Sequence, residues 1–232
     1  YDSIYDRPFK ELDVLALTEL TYLPFGHIVP QGDTTGIPVR LSDAMELIDR
    51  TTDFIVSNQH LQLVDELATS KRFKNIKLLN YVDEYDPDVQ KQFAAMTYRL
   101  SLDTYLVVFR GTDDTLIGWK EDFHMTYMDH VPAQKRAASY LQHVMKEFPK
   151  GRFLVAGHSK GGNLATYACS YLPDSLFEQV DAIYSYDAPG LNKAIIETEG
   201  YQRTSPNIRR FVPQGSIVGM MLEVPEPTTI VK

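Results

Sequence analysis

Cysteine is almost missing from this chain. Cys169 is the only one among 232 residues, so no internal disulfide staples the fold, and no Cys/His spacing matches a zinc site. A single thiol fits a reducing, cytoplasmic setting. Positive charge is also in deficit: 23 Lys and Arg stand against 31 Asp and Glu, for a net charge of −8. No Lys/Arg stripe interleaved with aromatics offsets that balance locally, so nucleic acid is not an expected partner. Apolar runs extend only a few residues, far short of the ~20 that cross a bilayer. No basic-then-apolar leader opens the chain, which starts at Tyr1 instead of Met, and trimming at both termini is the expectation. What is present is an ordinary globular mix, 44% hydrophobic and 23% charged. That excludes a disordered or collagen-like chain. The length suffices for one core that buries roughly 70–75% of the unfolded surface.

The first 90 residues read mostly as helices. Residues 9–23 carry an apolar stripe at Leu12, Leu15, Ala16, Leu20 and Leu23, which predicts one buried helical face. Further helices are expected over 42–50 and 58–70, with Ser57 or Asn58 as N-cap. From residue 92 the texture changes. Residues 92–100 and 105–111 are β-rich and separated by a hairpin-sized Ser101-Leu102-Asp103-Thr104. A long amphipathic helix is expected over 133–148, stopped by Pro149 and Gly151, then a buried strand at 152–156. A helix at 163–172 and strands at 180–186 and 208–212 complete the pattern. This order signals an α/β sheet with helices on its faces. There is no repeat or low-complexity linker, so the expectation is a single domain over 1–232, with a helical part at 1–90 and a catalytic core at 91–232.

Gly157-His158-Ser159-Lys160-Gly161-Gly162 falls between the buried strand and the helix that follows. Gly-x-Ser-x-Gly on a strand-to-helix turn is a nucleophile elbow: the serine is strained, and the flanking glycines allow the tight approach. The helix start adds N–H groups and a positive dipole end that stabilise developing negative charge. The plainer reading is a glycine-rich turn with an incidental serine.

A serine hydroxyl needs a base, and the base needs an orienting acid, in the chain order Ser, Asp/Glu, His. Asp187 lies 28 residues after Ser159 at the tip of the next strand, as the acid or simply as the first residue of an Asp-Ala-Pro-Gly turn. The six histidines, His27, His60, His124, His130, His143 and His158, all precede Asp187, so the expected base is missing. An oxyanion needs two donors. The Lys160 N–H is one candidate. Thr112, after Phe109-Arg110-Gly111, is the other, unless it merely caps the next segment.

Val107-Val108-Phe109-Arg110-Gly111-Thr112 with Trp119 seven residues on, and Gly157-His158-Ser159 with Gly161-Gly162 and Leu164-Ala165, together resemble the class 3 (fungal-type) lipases of the α/β-hydrolase superfamily. The fuller strings over 109–123 and 157–165 resemble a bacterial group of lipase-like hydrolases, with similarity over most of the chain. The resemblance implies an α/β-hydrolase fold, its central sheet mostly parallel with helices on both faces. It implies an ester or lipid substrate and no cofactor or metal, with Ser159 as nucleophile and Thr112 and Lys160 as the oxyanion pair. It also implies that 113–122, with Trp119, corresponds to a lid able to touch a lipid interface, although a lone Trp is commonly just packed.

Three departures accompany it. Class 3 lipases carry the acid in a stretch that aligns with Gln214-Gly215-Ser216-Ile217-Val218, where this chain has Ser216, which moves the acid role to Asp187. The usual leucine after the nucleophile is Lys160, a cation that acts on the serine, attracts an anionic substrate, or pairs with a carboxylate. The family's histidine lies in a C-terminal segment, so a chain continuing past Lys232 is expected. Three functions remain open on the sequence: ester hydrolysis through an acyl-enzyme, acyl transfer to another acceptor, and a catalytically impaired hydrolase fold used for binding.

Overall fold

β5 (Arg152–His158) lies between β4 (Thr104–Phe109) and β6 (Val180–Tyr186), parallel to both, in the order β1 to β8 of the eight-stranded sheet that the described residues form. The structure is a computed structural model that describes residues 7–32, 36–49, 58–86, 88, 91–112 and 130–232. The remaining strands are β1 (Val39–Arg40), β2 (Lys77–Asp86), β3 (Lys91–Arg99), β7 (Ile208–Pro213) and β8 (Thr228–Val231). β1 to β4 pair antiparallel through three contacts and β4 to β8 pair parallel through four. The sheet is thus mostly parallel, on the side that carries the elbow.

Parallel neighbours require crossovers, and helices supply them. Among the described residues, α4 (Pro132–Glu147) precedes β5, α5 (Lys160–Ser170) and α6 (Asp174–Phe177) join β5 to β6, and α7 (Lys193–Ile196) and α8 (Glu199–Thr204) join β6 to β7. α1 (Glu11–Leu20), α2 (Leu41–Leu47) and α3 (Asn58–Thr69) come earlier in the chain. Strand side chains alternate between two cores. Val107, Phe109, Phe153, Val155 and Ile183 meet α4 and α5. Leu106, Val108, Ala156, Ala182 and Tyr184 meet α1, α2 and α3 on the other face. Burial on both faces explains why these strands read as unbroken apolar runs. α4 begins where expected: Pro132 takes the first helical position, where a missing N–H costs nothing, and the Gln134 side chain accepts the Val131 N–H at 3.0 Å.

The structure corrects the sequence reading in three places. Residues 77–86, inside the stretch read as helical, form β2, a full member of the sheet. β8 had no counterpart in the sequence reading; it pairs with β7 and is exposed at all four positions. Helix α1 buries Leu20, with Leu23 just beyond it, as expected, but its buried face is shifted: Leu12 is 78% exposed, while Val14, Leu17 and Thr18 are fully buried. Thr18 and Thr21 satisfy their hydroxyls on the carbonyls of Val14 (2.8 Å) and Leu17 (3.1 Å). Threonines bonded in this way sit in an apolar interface without penalty. A tally of apolar residues alone misses them.

The register fixes the site. Phe109 pairs with Gly157, His158 with Tyr186, and Tyr186 with Phe211. The segments after β4, β5, β6 and β7 therefore emerge side by side at one carboxyl edge, where α/β folds assemble their sites.

Candidate active site

Ser159 occupies the turn between β5 and α5 with φ 53° and ψ −130°, a left-handed conformation in a non-glycine residue. Such a backbone costs about 1–3 kcal/mol and persists only where its surroundings impose it. Here they do. The Ser159 N–H donates to Tyr186 O at 2.9 Å. A Cβ on Gly157 would lie 2.1 Å from the Gly161 carbonyl group, and one on Gly161 would lie 2.1 Å from Phe109 O. Strand, turn and helix are thus packed backbone to backbone, and only glycine fits. Ser159 itself is partly exposed.

The segment after β4 lies against this elbow. A Cβ on Gly111 would lie 2.7 Å from His158 O and 3.3 Å from Ser159 Cβ, so Thr112 leaves β4 beside the serine. Arg110 fixes the approach: buried to 4% exposure, its two terminal nitrogens reach the Asp83 carboxylate at 3.0 and 2.8 Å. This bidentate pair is directional as well as strong. Tyr22, two residues past α1, adds a second brace. Its hydroxyl accepts the Gly111 N–H at 3.1 Å and bonds His158 Nδ1 at 2.9 Å. Lys160 opens α5, where helix geometry directs N–H groups out of the helix start. Its side chain is not at the surface: at 1% exposure, Nζ donates to Gln92 O on β3 at 3.0 Å.

Asp187 follows β6 in a left-handed conformation, φ 43°, with its N–H on Phe211 O at 2.8 Å. Ser216 Oγ donates to its Oδ1, and Arg210 Nη2 donates to Ala188 O at 2.7 Å just beyond. Burial pulls the Arg210 guanidinium below the usual arginine range, against the opposing charge of Asp187. A buried relay holds the same loop from the helix side: Gln134 Nε2 donates to Asn163 Oδ1 at 2.9 Å, and Asn163 Nδ2 donates to Gly190 O.

The structure therefore brings Thr112, Ser159, Lys160 and Asp187 to one edge. Trp119 and His124 lie outside the described residues. His158 and His130 both bond tyrosines, Tyr22 and Tyr167, and neither bonds Asp187. Tyr22, Asp83, Gln134, Asn163 and Arg210 were not singled out by the sequence, because each acts through a partner far away in the chain.

The profile of one family matches residues 67–232. The chain belongs to the Mbeg1-like family. This Mbeg1-like chain is similar in structure to lipases. M37 lipase shares 15% identity at a TM-score of 0.54, over 88% of this chain and 68% of the lipase. A lipase from Rhizopus microsporus var. chinensis shares 16% at 0.57, over 95% and 73%. A mutant form of MDLA from Penicillium cyclopium shares 13% at 0.54, over 96% and 78%. No curated protein matches the sequence. At such identities the shared property is the fold, a class 3 lipase-like α/β-hydrolase fold, as the motifs implied.

Proposed function

We propose that this Mbeg1-like chain is a serine hydrolase of carboxylic esters, acting on acyl or lipid esters through an acyl-enzyme at Ser159. The observation that carries the reading is the strained backbone of Ser159, a non-glycine residue at φ 53° held at a strand-to-helix turn. Ser159 Oγ attacks the ester carbonyl carbon. The oxyanion accepts the N–H groups of Lys160 and Thr112, each donor of this kind being worth roughly 10²–10³ in rate. Collapse expels the alcohol, which takes up the serine's proton by way of a general base that Asp187 would orient. Water then adds to the acyl-enzyme and releases the acid. The buried, free Cys169 accords with a cytoplasmic setting.

A second reading is a hydrolase fold used for binding. It is favoured by the tyrosine partners of His130 and His158. Fluorophosphonate labelling separates the two. Wild-type protein labels and Ser159→Ala does not if the first reading holds; no labelling of either supports binding, and equal labelling of both removes Ser159 as nucleophile. Asp187→Asn lowers turnover of a short-chain p-nitrophenyl ester by orders of magnitude, and an effect below about tenfold moves the acid elsewhere.

A further inference from the structure

Two neighbouring strands end side by side, and the side chains that follow them touch. Asp187 follows β6. After β7, a tight turn through Gly215, whose φ is +82°, brings the Ser216 N–H onto Pro213 O at 3.1 Å and its hydroxyl to Asp187 Oδ1. The same hydroxyl oxygen accepts the Gly219 N–H at 3.1 Å. A hydroxyl has one proton, and with the Gly219 N–H seated on a lone pair, that proton is directed at the carboxylate. Gly219 permits the approach, since a Cβ there would lie 2.8 Å from Asp187 Oδ1 and 2.5 Å from Val212 Cγ1. Arg210 Nη2 donates to both Ala188 O and Gly219 O, tying the aspartate's segment to the serine's turn.

We infer that Ser216 is the positioning residue of Asp187: it fixes Oδ1 so that Oδ2, which has no hydrogen-bond partner among the described residues, is presented to the base. The inference rests on the hydrolase reading. Asp187 needs such a partner because its left-handed backbone, φ 43°, is imposed by the surroundings and does not itself fix the carboxylate. A hydrogen bond to an ionised group is both stronger and more directional than a neutral one.

The competing role for Ser216 is local: its oxygen caps the turn through Gly219 N–H, with the contact to Asp187 incidental. Substitution separates the two. Ser216→Thr keeps donor and acceptor. Ser216→Ala loses both.

The experiment measures kcat and KM on a soluble short-chain p-nitrophenyl ester, with the thermal midpoint of each variant alongside. Ser216→Ala is expected to lower kcat about tenfold to a hundredfold with KM little changed, and Ser216→Thr to retain most activity. Wild-type turnover in Ser216→Ala, or a loss in Ser216→Thr as large as in Ser216→Ala, overturns the inference. If wild-type protein is not labelled at Ser159, the hydrolase reading is what has failed. Ser216 is then judged from a crystal structure of Ser216→Ala, where a displaced or divided Asp187 carboxylate upholds the positioning role and an unmoved one overturns it.

Discussion

Gly162→Ala sets two effects of opposite sign against each other. Gly162 is the third residue of α5, and alanine in place of glycine inside a helix gains about 1 kcal/mol from propensity alone. The space tells the other way. A Cβ at 162 would lie 2.6 Å from Ala188 Cβ, 2.9 Å from Gly157 O and 3.1 Å from Ser185 Oγ. The first two are fixed to backbone and cannot rotate aside, so α5 and the Asp187 segment must separate by about 1 Å to restore ordinary van der Waals contact. Overpacking of this kind costs roughly 1–3 kcal/mol, and backbone-fixed neighbours put this site near the upper end. The net is a loss of about 2 kcal/mol, or a Tm lowered by about 4–8 °C for a chain of this size. Calorimetry or a thermal melt by circular dichroism reads it directly. The displacement falls on Ala188, next to Asp187, so ester turnover drops as well. A Tm equal to or above wild type would refute the argument and show that propensity outweighs the contact.

Two further perturbations probe other parts of the site and fold. Tyr22→Phe strips the Gly111 N–H of its acceptor and His158 of its partner, at a cost of about 1–3 kcal/mol; kcat is expected to fall with little change in KM, and a loss of stability with kcat intact would make Tyr22 purely structural. Glu226 is 9% exposed and receives the Tyr201 hydroxyl, and burial pushes its carboxyl above the usual glutamate range. The folded state therefore holds that proton to higher pH than the unfolded chain does, so its contribution to stability is present in acid and is lost as pH rises through the raised value. Glu226→Gln should raise Tm at pH 7 more than at pH 4, and an equal change at both pH values would contradict this assignment.

The elbow was legible because its demands are local. Glycines at 157, 161 and 162 and an apolar strand before them leave a strand-to-helix turn as the consistent solution, and β6 likewise appears over Val180–Tyr186 as read. β2 was not legible for equally local reasons. Its register shifts between Leu79 and Val82, with Asn80 at φ 53°, so the alternation that marks a strand is interrupted, and its outer end is polar. β8 is exposed on both faces and has no pattern to read. The braces around the site are long-range: Tyr22 and His158 are 136 residues apart, and Ser216 and Asp187 are 29 apart. A single residue in a sequence carries no mark of a hydrogen bond formed only when the strands are in register.

The Arg110–Asp83 pair and the Tyr22 hydroxyl have a consequence for how this edge can change. They secure the Gly111-Thr112 side from the antiparallel end of the sheet and from α1, whereas Asp187 is secured from the opposite end through Phe211, Ser216 and Arg210. Ser159 sits on the seam between the two halves. Drift in β2 or in the segment around Tyr22 therefore reaches Gly111-Thr112 first, and drift in 214–219 reaches Asp187 first, so the two sides of this edge can shift independently of one another.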